Sequence, residues 1–297
     1  MWDPYKKGYK AWLRLEKSLS DNSVEAYLRD VEKLTNYLQL HNILVSPTEL
    51  KLKNLQQFVK WIGELGMTAT SQARIISGIR GFYKYCLVEQ ITKIDPSTLL
   101  EAPKTSRKLP DVLTFEEIEL VIAQLDQSKP DGVRNKAILE TLYSCGLRVS
   151  EVCKLKVSDI DSERMQVFIE RSKGKKDRYV TLSPVLLDIL RQYMKMHKPM
   201  PKRYLFEGQK ENDPYSTRSA QTVFNRAVKT AGIHKSVTFH VLRHSFATHL
   251  WEKGVDIKYI KELLGHFDIK TTERYLHVVR EKLVQIRSPL DYLDTGI

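Results

Sequence analysis

The chain has 297 residues, 42% apolar and 28% charged, and its 48 Lys and Arg against 36 Asp and Glu leave a net charge of +12. That composition is globular rather than disordered, and no run of about 18 apolar residues offers a membrane span. Three scattered cysteines, Cys86, Cys145 and Cys153, form no CxxC pair, which excludes a disulfide scaffold or a thiolate zinc site and suits a reducing cytosol.

Domains run to roughly 100–200 residues, so the length predicts two. Lys6, Lys7 and Lys10 near the start are not followed by the apolar stretch of a signal peptide. Residues 1–102 read as helices only. Tyr5, Tyr9, Trp12 and Leu13 mark the first. A second opens at Asn22, with Glu25 three residues on as a capping box, and carries the stripe Val24, Tyr27, Leu28, Val31, Leu34 and Leu38. Leu55, Phe58, Val59 and Ile62 mark a third. A fourth spans about 70–86, with Ile75, Ile79, Phe82 and Tyr83 inward and Ser71, Arg74, Ser77, Gly78, Arg80 and Lys84 on its other positions. Small and basic residues on an open face suit close approach to phosphates, and equally suit a solvated face.

Residues 1–102 hold 14 basic and 11 acidic residues, net +3, and residues 103–297 hold 34 and 25, net +9. Between them, residues 103–110 place a basic stretch between Pro103 and Pro110 with no apolar period, which reads as a linker. The positive balance makes a polyanion the first partner to consider, with a basic metabolic enzyme as the plain alternative.

The second segment, 111–297, opens with Thr114 and Glu117 as a capping box and Leu113 with Ile118 as a hydrophobic staple. A helix ends at Cys145-Gly146. Met165 to Glu170 and Arg178 to Leu182 alternate as two strands about a lysine-rich turn, 172–177, and helices return from Pro184 onward.

Four short pieces of this segment could carry chemistry. In Gly146-Leu147-Arg148-Val149-Ser150-Glu151, a carboxylate one turn beyond Arg148 can pre-orient it to grip a second anion. Lys173 sits on the hairpin turn. His240 and Arg243, in His240-Val241-Leu242-Arg243-His244, share a helix face. His240 and His244 have the spacing of a zinc helix, but Val241 stands where HExxH needs its glutamate. The last piece is Leu263-Leu264-Gly265-His266, with Tyr275 nine residues after His266. Taken singly, each also fits an ordinary structural role.

Taken together and in this order, Arg148, Lys173, His240, Arg243, His266 and Tyr275 resemble the signature of the tyrosine recombinase (phage integrase) family. The likeness extends over nearly the whole chain, and the compact length resembles the Xer branch and small mobile-element integrases. The resemblance implies an all-α, four-helix, SAM-like core-binding domain at 1–102 and a linker at 103–110. It implies a mainly α catalytic domain with a small antiparallel sheet at 111–297. The family commonly has Gly before the hairpin lysine. Here it is Ser172, which leaves Lys173 and Lys175 both open as the catalytic lysine; Leu276 stands where Thr commonly follows the tyrosine.

The implied activity is site-specific recombination of double-stranded DNA, with Tyr275 as the nucleophile of a covalent 3′-phosphotyrosyl intermediate. Arg148 and Arg243 would clamp the phosphate oxygens, His240 would accept the phenol proton, Lys173 would protonate the departing 5′-oxygen and His266 would donate a hydrogen bond. Two arginines supply the positive charge a metal would otherwise bring, so neither a metal nor another cofactor is expected. The two domains would close around the duplex, with Arg74, Arg80 and Lys84 facing a groove. Four copies would act on two duplexes, or share them with a related recombinase, linked through the tail after Tyr275, with no membrane and in the cytoplasm. The competing readings are a type IB topoisomerase that reseals without strand exchange, a DNA-binding regulator, and a zinc hydrolase built on His240 and His244.

Overall fold

The computed structural model describes residues 1–104, 111–170, 177–210 and 212–265. The chain divides into two compact units, Met1–Arg107 and Lys108–Ile297.

The first unit is built from helices alone among its described residues: α1 (Asp3–Leu15), α2 (Asp21–Leu40), α3 (Leu52–Glu64) and α4 (Ala69–Val88). Pro4 pre-sets the first turn of α1. The hydroxyls of Ser20 and Thr68 accept from the backbone N–H of Ser23 and Ser71 and so cap α2 and α4. The expected cap of α2 at Asn22 is thereby corrected to Ser20, two residues earlier, whose extended backbone frees its hydroxyl for the first turn. The expected stripes do form the core: Tyr9, Val24, Val31, Leu34, Leu55, Phe58, Ile62, Ile75, Ile79, Phe82 and Tyr83 are all fully buried.

Gly78 departs from the expected open face of α4. It is buried, and a Cβ there would lie 2.4 Å from Asp30 Oδ2 and 2.7 Å from the Asp30 Cβ. The bare backbone at this point lets α2 press against α4, and Asp30 fills the space a side chain would have taken.

In the second unit, α5 (Phe115–Ala123) begins with the expected Thr114–Glu117 capping box. Helix α6 (Pro130–Ser144) ends at Cys145 and Gly146, and Arg148 then opens the short α7 (Val149–Cys153). A 3-10 turn (Val157–Asp159) leads into β1 (Ile160–Asp161), β2 (Gln166–Ile169) and β3 (Arg178–Thr181), an antiparallel sheet in the order β1-β2-β3. The sequence showed β2 and β3, each a little longer, but not β1, whose two residues are too few to show a period. Val167, Ile169 and Val180 point into the core, and so does Arg178. Four further helices follow: α8 (Pro184–Met196), α9 (Thr217–Thr230), α10 (Phe239–Glu252) and α11 (Ile257–Leu264). Helix α6 packs on α8, α9 and α10 and forms the spine of this unit. At its start, the Leu113 N–H donates to the Ser245 hydroxyl of α10 at 2.9 Å.

Candidate active site

Three stretches far apart in the chain meet at the end of α6. Gly146 makes the first turn. Its φ of +58° is costly for any residue with a Cβ, and a Cβ would also strike Phe246 of α10 at 2.3 Å. Leu147, buried, pins the chain, and Arg148 follows in extended conformation as the residue before α7. Glu151, one helical turn on, accepts from the Arg148 backbone N–H at 2.9 Å and from its Nη1 at 2.8 Å. The pairing anticipated from the spacing is therefore present. Arg148 keeps 34% of its side chain exposed, and among the described residues only its Nη1 has a side-chain partner.

Glu151 holds a second arginine that the motifs did not single out. Arg178 of β3 donates Nη1 to Glu151 Oε1 at 3.0 Å and Nη2 to Oε2 at 2.8 Å. Its Nε donates to the Leu263 carbonyl at 2.8 Å, so all three guanidinium nitrogens are engaged. A signal for it did exist in the sequence. Arg178, Val180 and Leu182 alternate inward on a strand, and a charge on a buried face needs a partner.

The other motif arginine, Arg243, lies one turn into α10 and is buried, with 4% exposure. Its Nη1 donates to the Gly146 carbonyl at 2.8 Å and its Nη2 to the Leu264 carbonyl, and Nη1 also lies 3.7 Å from Glu151 Oε2. The last carbonyls of α11 are thus held by arginines, Leu263 by Arg178 and Leu264 by Arg243. A helix C-terminus has unpaired carbonyls and a partial negative charge, which guanidinium groups satisfy. Gly265 closes α11 in the left-handed conformation, at φ 62°.

Burial by itself would raise the Glu151 carboxyl. The hydrogen bonds and charge of Arg178, then those of Arg148, outweigh it and hold the group down at about 2. Glu151 is therefore ionised at neutral pH. With three arginines around one carboxylate, the cluster carries a surplus of positive charge beside the exposed edge of Arg148. Such an arrangement suits a phosphate diester.

His240 lies at the start of α10, one turn before Arg243, and is exposed. Lys173, Lys175, His266 and Tyr275 lie outside the described residues. Among the described residues, no three His, Cys, Asp or Glu side chains are grouped to hold a metal ion, His240 and His244 included. No described helix is long and apolar enough to cross a membrane.

In the first unit, Arg74 grips the buried Asp30 through two hydrogen bonds, 2.9 and 2.6 Å long, while half of its side chain stays exposed. Arg80 donates Nη2 to the Leu100 carbonyl at 2.5 Å, and Lys84 is exposed.

Residues 111–282 match the model of the phage integrase family, and residues 7–90 match that of the phage integrase N-terminal SAM-like domain. A tyrosine recombinase XerD of Oceanobacillus iheyensis is 36% identical over 278 residues, 92% of this chain and 93% of the relative. A tyrosine recombinase XerD of Staphylococcus saprophyticus is 35% identical over 281 residues, covering 93% and 94%. Among solved structures, the XerH site-specific recombinase in a post-cleavage complex with a palindromic difH substrate superposes with a TM-score of 0.76, at 23% identity over 91% of this chain and 80% of that one. A lambda integrase dimer bound to a COC′ core site superposes with a TM-score of 0.72, at 20% identity over 91% and 96%.

Proposed function

Because the chain belongs to the phage integrase family of tyrosine recombinases, we propose that it is a Xer-like site-specific recombinase of duplex DNA. The observation that carries this reading is the convergence of Arg148, Arg243 and the carboxyl end of α11 around Glu151. It joins boxes more than a hundred residues apart into one cationic site. The match to XerD relatives over almost their full length supports the Xer-like reading over that of a mobile-element integrase.

In the proposed reaction, the Tyr275 phenol oxygen attacks the scissile phosphorus and the bond from phosphorus to the 5′-oxygen breaks. The phenol, with an ordinary pKa of about 10, must lose its proton as it attacks. His240 accepts that proton. Lys173, or Lys175, protonates the departing 5′-oxygen. Arg148, Arg243 and His266 stabilise the charge gathering on the non-bridging oxygens. The phosphotyrosyl ester keeps the energy of the broken bond, so a 5′-hydroxyl from a second strand can reverse the step without a nucleotide cofactor. Strand exchange calls for four protomers on two duplexes, in the cytoplasm. Arg74, Arg80 and Lys84 of α4 contribute to holding the DNA, Arg74 with its orientation set by Asp30.

The test is a nicked duplex that loses its 5′-hydroxyl fragment after cleavage. Wild-type protein is expected to accumulate covalently on the 3′ end. Tyr275→Phe is expected to bind the same DNA and give no adduct. An adduct formed by the phenylalanine variant would remove Tyr275 from its role. Paired sites yielding no Holliday junctions would leave a topoisomerase-like nicking and resealing activity.

A further inference from the structure

The motif set explains Arg148 and Arg243, but it leaves a third arginine at the same carboxylate without a role. Arg178 is 8% exposed, and its three guanidinium nitrogens are all engaged inside the protein. Three of its five N–H donors, one on each guanidinium nitrogen, are thus committed to Glu151 and Leu263. A buried charge is costly to keep, and a residue that merely filled this space would be apolar, like Val180 two positions on in the same strand.

Resting on the recombinase reading, we propose that Arg178 is a positioning residue of the phosphate clamp. It occupies Glu151 so that the carboxylate orients Arg148 without capturing Arg243, and it ties that carboxylate to the end of α11. The geometry supports each part. Glu151 Oε1 takes Arg148 Nη1 and Arg178 Nη1, and Oε2 takes the Arg148 backbone N–H and Arg178 Nη2. Arg243 Nη1 stands 3.7 Å from Oε2, just beyond hydrogen-bonding distance. Without Arg178, Oε2 is open on that side, and a shift of under about 1 Å would bring Arg243 onto it. The carboxylate charge would then be balanced by the two clamp arginines instead of by Arg178, and the positive charge facing a phosphate would fall. The carbonyl of Leu263, two residues before Gly265 and three before His266, would lose its donor in the same event.

The experiment compares wild-type protein with Arg178→Met, which keeps a stem of similar bulk without charge. A second variant, Arg178→Lys, keeps the charge but cannot reach Glu151 and Leu263 together. Each is tested for thermal melting, for affinity on a single recombination site and for the single-turnover rate of covalent adduct formation. Two nicked duplexes are used, one ordinary and one with a neutral methylphosphonate at the scissile position. On ordinary DNA, Arg178→Met is expected to cleave about 10²-fold more slowly, the size of one lost transition-state donor. Arg178→Lys is expected to fall between it and wild type, and affinity is expected to change little for either. On the methylphosphonate the clamp has one charge fewer to neutralise, so the deficit of either variant relative to wild type is expected to shrink to a few-fold. A merely structural role would slow both substrates alike. An equal deficit on both, or a cleavage loss that only follows loss of melting temperature and affinity, would overturn the inference. Should Arg178→Met fail to fold, the substrate ratio of Arg178→Lys decides in the same way. No adduct from wild-type protein on ordinary DNA would instead overturn the recombinase reading, and this inference with it.

Discussion

Arg148 and Arg243 carry the same charge, but they are held differently, and their loss should be felt differently. Arg148 is partly exposed and bound to one carboxylate; Arg243 is buried and donates to the carbonyls of Gly146 and Leu264. Alanine at either position is expected to slow cleavage by about 10²-fold or more. Arg243→Ala should also melt earlier than Arg148→Ala, because it removes the donor from two buried carbonyls, at about 1–3 kcal/mol each. Melting curves beside adduct assays check this, and equal melting temperatures for the two variants would contradict it. Glu151 makes a separate prediction. Its carboxyl lies at about 2, below the ordinary 4.5, so the stability it contributes is complete above pH 4.5 and is lost as the pH falls toward 2. That contribution is of the order of 3 kcal/mol. Glu151→Gln is expected to remove this part of the acid sensitivity while lowering stability at neutral pH. Unfolding free energies at pH 3 and pH 6 would show it, and an unchanged pH dependence in the variant would refute it.

Among the helices, the contact between α2 and α4 depends on one missing side chain. Gly78→Ala would gain up to about 1 kcal/mol of helix propensity. Against that, its Cβ would meet the Cβ and carboxylate of Asp30 at 2.7 and 2.4 Å, atoms close to the α2 backbone that cannot swing away. Overpacking of this kind costs about 1–3 kcal/mol. It would also displace the carboxylate that orients Arg74. Net destabilisation of the first unit is expected, together with weaker DNA binding, by melting and gel shift. A variant as stable as wild type would mean that α2 and α4 can separate without cost. In the second unit, α11 illustrates how helix ends join the site. Its final carbonyls are satisfied by two arginines from other elements, so the end of the helix and the orientation of Arg178 and Arg243 are set together.

For the whole molecule, affinity for DNA and assembly on it should be separable. Residues 103–297 carry net charge +9, and many cations besides the clamp can meet the phosphate backbone. Residues 287–297 lie after Tyr275, the proposed nucleophile, and outside the described residues. They include Pro289, Leu290, Tyr292 and Leu293, apolar groups that gain by burial. Deleting 287–297 is expected to leave binding to a single site nearly intact and to cripple pairing of sites and strand exchange. Gel shifts on one site and on paired sites, with a recombination assay, separate the two outcomes. Full recombination by the truncated protein would remove the tail from assembly.

The sequence by itself determined the local structure and singled out Arg148 and Arg243, though not Arg178. Helical stripes, the Thr114 capping box and the alternation of β2 and β3 are written in residues a few positions apart, which is the range over which backbone hydrogen bonds and one-sided burial act. The motif residues were legible for the same reason, since each box is short. The tertiary structure alone decided which carboxylate and carbonyls those residues would meet. Gly78 read as part of an open face because its neighbour, Asp30, comes from another helix. Arg178 read as the first residue of a strand because its partners, Glu151 and Leu263, lie 27 and 85 residues away. Arg243 reads in its motif as a clamp on phosphate oxygens, and the structure also shows it bound to carbonyls 97 and 21 residues distant. A buried charge must find its counter-charge wherever packing places one, and that choice depends on the folded arrangement of the elements rather than on the chain near the charge.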